Sequence, residues 1–335
     1  MSVSVHKKLY FGYKHTDYKV LLQDYAKAMG TTLADGDILM FPPEYGKGYF
    51  RALKLPLGLQ AMIMDITYNR DVYITRLSSK EKFFILRFDE MKGRKAVTIK
   101  FDKEYNDEIF SNHTAAVLTL ASTEYGYILQ KGSVIKGVNI IISKQCLQHC
   151  LGIKIADSMI KQYLQIQSAH INLQTFDTEY RKILNEIMLE EEQNNPLKDV
   201  YIQNRVMLLI EKFFIRFIEN LKKIPPTSAA EKAEHLMLQA AEAKLVGDLS
   251  KEPPVLSVLA KEANMSVTKF ATRFKALYGL SPFEYYQKNR MHYARNLLVT
   301  GKYSIKEVGL RLNFKNLSNF SVAFKKEFGF LPSEI

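Results

Sequence analysis

The sequence predicts an α+β chain, with a small β-barrel or sandwich at the N-terminus, helices after it and an all-α C-terminal part. Three observations predict it. From about Asp35 to Ser143, short runs alternate apolar with polar residues and are rich in β-branched and aromatic types. After about Ile153 the apolar spacing changes to three and four. Near the C-terminus, two segments match one another about 50 residues apart.

In the first part, Gln60–Tyr68, Val72–Arg76, Phe83–Phe88 and Ala96–Phe101 read as strands because side chains on a strand alternate between faces. Asp35-Gly36, Pro42-Pro43, Lys92-Gly93-Arg94 and Lys131-Gly132 supply the turns between runs of this kind. Many short strands at such spacing predict a barrel or sandwich. Segments 155–170, 176–193 and 198–222 read as helices. The last carries the strongest stripe, Val206, Ile210, Phe213, Phe217 and Leu221, widened by Leu209, Phe214 and Ile218. Such a seam either packs on its own chain or forms half of a symmetric dimer interface; dimerisation through those five residues is the expectation carried forward. Lys222-Lys223-Ile224-Pro225-Pro226-Thr227-Ser228 then stops the helix. The resulting layout is a first domain at 1–150, a helical dimerisation segment at 151–224, a linker at 225–230 and a helical domain at 231–335.

The net charge of +12 on 335 residues makes a polyanion the first partner to consider, nucleic acid ahead of a membrane surface. Residues 255–335 alone hold 13 Lys and Arg against 5 Asp and Glu. Two cysteines, Cys146 and Cys150, are too few for a disulfide framework and suit a reducing cytoplasm. With His149 they fall short of the four ligands that zinc normally takes. The start lacks an apolar stretch of signal-peptide length, and no run of about 18 apolar residues occurs, so a cytoplasmic protein with no membrane partner is expected. The histidines are scattered, and no nucleophile elbow or phosphate-cradling glycine loop is present. A non-enzymatic protein without metal or cofactor is expected.

The repeat carries the function. FATRFKALYGLSP, Phe270–Pro282, matches FSVAFKKEFGFLP, Phe320–Pro332, at both phenylalanines, one lysine, the glycine and the proline. An amphipathic helix and a tight turn precede each, Val255–Ala263 with Asn264-Met265 and Ile305–Leu312 with Asn313-Phe314. That is the layout of a helix-turn-helix. Ser266 and Ser304 are predicted N-caps, Gly309 permits close approach of the following helix, and the phenylalanine pairs are predicted core. The intervening segment 282–300 forms a helix of about 30 Å, close to the roughly 34 Å between successive major-groove faces on one side of a duplex.

With these features, residues 231–335 resemble the DNA-binding domain of the AraC family of bacterial transcription regulators. The resemblance covers about the last third of the chain and departs from the family at Pro332-Ser333-Glu334-Ile335, where members continue to an aromatic residue and an arginine. It implies that Thr268, Lys269, Ala271, Thr272 and Arg273 in one unit, and Leu317, Ser318, Asn319, Ser321 and Val322 in the other, face the major groove. Lys275, Asn316 and Lys325 complete the expected DNA-binding set. Hydroxyls discriminate poorly, Asn319 suits adenine, and Ala271 or Val322 suits a thymine methyl, so an A·T-rich double-stranded promoter site is expected. The resemblance further implies a cupin-like N-terminal barrel that senses a small-molecule effector, a homodimer, RNA polymerase as partner, and activation as the commoner outcome. A barrel serving only as a dimerisation scaffold would have the same sequence pattern. The rival reading is a non-catalytic architectural or protein-interaction protein with a helical C-terminal module.

Overall fold

The computed structural model describes residues 9–14, 17–77, 79, 83–101, 108–121, 125–152, 173–174, 176–191, 195–221 and 229–335. The helix expected at 155–170 lies outside them, as does most of the expected linker. The chain is of mixed α+β class and divides into two compact units. One comprises Met1–Gln174 with Phe213–Ile218; the other comprises Thr175–Lys212 with Glu219–Ile335.

In the first unit, strands β1 (Leu9–Tyr13), β2 (Ile38–Met40), β3 (Gly46–Lys54), β4 (Gln60–Tyr68), β5 (Val72–Arg76), β6 (Phe83–Phe101), β7 (Glu108–Leu120), β8 (Tyr125–Leu129), β9 (Val134–Ser143) and β10 (Leu173–Gln174) belong to one sheet. Its main path runs β1-β5-β8-β6-β9-β4-β3-β2, with β7 pairing β6 and β10 off that path. Strands β4 and β5 have the predicted bounds, whereas Phe83–Phe88 and Ala96–Phe101 turn out to be the two ends of β6. This long strand changes neighbours along its length. Phe83–Lys92 pairs with β9 and Thr98–Phe101 with β8, with a register shift between Lys92 and Val97 in its pairing to β7. A strand that changes partners in this way turns a corner between sheet segments. The expected closed barrel is therefore corrected: among the described residues no pairing joins β1 to β2, and the sheet is open.

Helix α1 (Tyr18–Ala28) covers one face. It is capped by Asp17, whose Oδ1 accepts the Lys19 and Val20 amides at 2.8 and 3.1 Å. Leu21, Leu22 and Tyr25 pack with Phe50, Met62, Met64, Ile66 and Ile85. On β6 the alternate residues Phe84, Leu86 and Phe88 are buried as well, so Phe83–Leu86 reads as a continuous apolar run, and the Arg87–Asp89 ion pair is buried beside it. The aromatic residues Phe50, Tyr68, Phe83, Phe84 and Phe88 are packed core. Burial drives the Tyr68 phenol well above its usual range. Helix α2 (Lys144–Leu151) follows β9 and buries Cys146.

The helices downstream are α3 (Thr178–Glu191), α4 (Lys198–Leu221), α5 (Ala229–Leu245), α6 (Leu256–Glu262), α7 (Val267–Tyr278), α8 (Pro282–Val299), α9 (Ile305–Arg311) and α10 (Leu317–Phe328). Val206, Ile210, Phe213 and Phe217 are buried within the single chain, Phe213 lies edge-to-face on Phe88 at 6.2 Å, and Leu221 closes α4. Within the segment expected at 151–224, Thr175–Lys212 groups with the C-terminal helices and Phe213–Ile218 with the sheet. Among the described residues no helix is long and apolar enough to cross a membrane.

Candidate nucleic-acid interface

Two helix-turn-helix units share α8. Phe270 and Phe274 pack with Leu238, Leu259, Ala260, Tyr285 and Tyr286 in the first core; Phe320 and Phe324 pack with Met291, Leu297, Leu298, Val308 and Leu312 in the second. The N-terminal half of α8 thus completes one core and its C-terminal half the other. All four phenylalanines are fully buried, as their spacing of four requires of core anchors.

The turns are fixed locally. Asn264 and Asn313 follow the leading helices α6 and α9 with φ of 51° and 58°, a left-handed conformation that asparagine tolerates better than most residues. The second turn is one residue longer, because α9 starts 49 positions after α6 and α10 starts 50 after α7. Ser266 caps α7 by accepting the Lys269 amide at 3.3 Å. Asn316 caps α10 by accepting the Ser318 amide at 2.8 Å, so its carbonyl oxygen serves the helix rather than a base. Ser304 forms a capping box with Glu307, and Ser281 forms another with Glu284; these bonds hold both carboxyls below their usual range. A side chain on Gly309 would meet Leu317 Cδ2 at 2.6 Å, so Leu317 of α10 would have to shift from the space that the glycine leaves on α9.

Thr268, Lys269, Thr272, Arg273 and Lys275 of α7 are exposed, while Ala271 is half-buried. On α10, Ser318, Asn319, Val322 and Lys325 are exposed, and Ser321 is half-buried. Leu317 is 36% exposed and packs against Gly309, and Val322 is the most open apolar residue of the face at 68%. Each second helix therefore presents a polar, cation-bearing stripe opposite its phenylalanines. Lys302, Lys306, Lys315 and Lys326 add exposed positive charge to the same unit, and Lys288 and Arg295 are half-buried.

One cation of the basic C-terminal region does not face outward. Arg290 is 9% exposed, stacks 3.9 Å over the Phe314 ring and donates from Nη2 to the Leu312 carbonyl. It closes the end of α9 and is a core residue. His292, pushed down to about 4 by burial and by Lys182, Lys288 and Arg295, is neutral at physiological pH, 3.3 Å from Glu327.

Two further arrangements have no local sequence signature. Arg181 of α3 lies 2.8 Å from Glu242 of α5, whose Oε1 also accepts the Tyr285 hydroxyl at 2.8 Å. Asn289 donates to Thr178 Oγ1 at 3.0 Å and accepts from Arg181 at 3.4 Å. This buried network makes α3 part of the helical unit, and burial and Glu242 drive the Tyr278 and Tyr285 phenols well above their usual range. Glu234 of α5 meets Lys269 Nζ and Arg273 Nε, each at 2.7 Å, and these bonds hold its carboxyl below the ordinary value.

The family model described as a helix-turn-helix domain matches residues 259–335. The virulence regulon transcriptional activator VirF of Yersinia enterocolitica is 35% identical over 79 residues, 24% of this chain and 29% of VirF. The regulator ExsA of Pseudomonas aeruginosa is 32% identical over 78 residues, 23% of this chain and 28% of ExsA. The chain thus spans under a third of the length of these curated relatives. Among solved structures, the DNA-binding domain of the transcription factor AdpA in complex with a target DNA shares 30% identity, covering 29% of this chain and 86% of that one, with a TM-score of 0.27.

Proposed function

We propose, from the match of residues 259–335 to a helix-turn-helix family model and the likeness to VirF, that the C-terminal region is an AraC-type DNA-binding domain and the protein a non-enzymatic, sequence-specific transcription regulator. The observation that carries the proposal is the pair of capped second helices, each with its phenylalanines in a separate core and its polar stripe outward, joined by the single helix α8. Such a pair suits two successive major-groove faces on one side of a duplex. Thr268, Lys269, Thr272 and Arg273 on one helix, and Ser318, Asn319 and Val322 on the other, are the residues we assign to the groove. Lys275, Lys315 and Lys325 are assigned to phosphate, where each true contact steepens the salt dependence by about 1.

VirF is described as a transcriptional activator, and we assign activation through RNA polymerase, in the cytoplasm, to this chain as well. A small-molecule effector in the N-terminal unit belongs to the same reading. Pairing of two copies belongs to the same reading.

Selection of random duplex DNA by the full chain tests the proposal. The expected result is enrichment of one A·T-rich site bound far more tightly than scrambled DNA. Binding without any sequence preference would overturn it in favour of an architectural role.

A further inference from the structure

The ion pairs of Glu234 fall on the face assigned to DNA. Lys269 and Arg273 lie four residues apart on α7, so their side chains share one stripe of the helix. Each is about half exposed, at 51% and 53%, and each is bonded to a different oxygen of the same carboxylate: Lys269 to Oε2 and Arg273 to Oε1. Glu234 itself is 19% exposed and comes from α5, outside the helix-turn-helix proper. The arrangement belongs to one unit only. The positions of α10 that correspond to Lys269 and Arg273 are Asn319 and Ala323, which offer no cation to pair.

A cation already satisfied by a carboxylate contributes less to phosphate binding, because the phosphate must displace the carboxylate or accept its negative charge nearby. Phosphate contacts are made to every DNA sequence alike, whereas base contacts distinguish sequences. On scrambled DNA these two groove-facing cations find no matching base edges and can reach only phosphate, where Glu234 competes with the contact; matching base edges of the cognate site offset its displacement, so non-specific binding is weakened more than specific binding. Specificity is a difference between affinities and gains from such a repulsive element.

We propose that Glu234 is a specificity-determining residue: it restrains Lys269 and Arg273 in the first unit so that scrambled DNA is bound less well relative to the cognate site. The inference rests on the DNA-binding reading above. It assigns opposite electrostatic roles to the two units, the first restrained and the second, through Lys315 and Lys325, available to phosphate.

The test uses the full chain, the selected duplex and a scrambled duplex, titrated at several salt concentrations. For Glu234→Gln, affinity for scrambled DNA should rise, its salt dependence should steepen by about 1 to 2, and the ratio of selected to scrambled affinity should fall. In a Lys269→Ala, Arg273→Ala background the same substitution should have no further effect. Thermal melting of each variant separates a folding defect from a binding effect. Should Glu234→Gln fold poorly, the Lys269→Ala, Arg273→Ala variant decides alone: its salt dependence on scrambled DNA should fall by less than that of the matched pair Lys315→Ala, Lys325→Ala. An unchanged ratio and salt dependence in a folded Glu234→Gln protein, or an equal or larger fall in the Lys269, Arg273 variant, would overturn the proposal. The outcome in which the wild-type chain prefers no sequence at all instead overturns the DNA-binding reading itself.

Discussion

Replacing Arg181 by alanine is expected to cost the helical unit about 3–5 kcal/mol, the typical loss when one partner of a buried ion pair is removed. The magnitude follows from the asymmetry of burial. Glu242 is fully buried, with the guanidinium 2.8 Å away. Without that group, the carboxylate must remain ionised in a poorly solvated core, take up a proton, or draw water between α3, α5 and α8. Asn289 also loses the donor to its carbonyl oxygen. Urea unfolding of the full chain, followed by a probe in the C-terminal helices, measures the loss. A double replacement, Arg181→Met with Glu242→Leu, should recover only part of it: apolar residues of similar size can replace the buried pair itself at little cost, but the Tyr285 hydroxyl and the Asn289 side-chain oxygen lose the partners the pair supplied. A loss below about 1 kcal/mol for Arg181→Ala would show that α3 does not complete this core.

Phe324→Ala is the second large effect, expected at about 3–5 kcal/mol for a buried aromatic reduced to a methyl group. Phe324 is fully buried and lies 4.6 Å from the Phe328 ring centroid, 5.8 Å from Phe320 and 6.0 Å from Phe330. The cavity opens under α10, so the second helix-turn-helix should melt first while the first retains its own core around Phe274. Hydrogen exchange separates the halves: protection should fall in 303–335 and persist in 256–280. Uniform loss over both units would show that the two cores act as one cooperative block.

Much of this arrangement is written locally in the sequence. Strands β4 and β5 alternate cleanly, and their predicted bounds match the structure. The caps at Ser266 and Ser304, the close approach at Gly309 and the buried phenylalanine pairs all follow from residue types at fixed offsets. Interactions set by partners distant in sequence were not legible. Helix α1, although capped by Asp17 and carrying Leu21, Leu22 and Tyr25, lies where no helix was expected. The fusion of two predicted strands into β6 depends on strand pairing across Lys92-Gly93-Arg94, a run that reads as a turn. Arg290 looks like any other cation of a basic domain until Phe314 and the Leu312 carbonyl are brought to it. Arg181 with Glu242, and Glu234 with Lys269 and Arg273, join helices that carry no shared motif. The α4 seam shows the same limit from the other side, since periodicity reveals an apolar stripe but not whether the covering surface belongs to the same chain.

Hydroxyl-radical footprinting of the full chain on its selected duplex tests the central claim most directly. Two second helices joined by α8 should protect two patches on one face of the duplex, about one helical turn apart, with a more exposed stretch between them. A single protected patch, or even protection along the duplex, would contradict the account of two groove-reading helices held in register by one rigid helix.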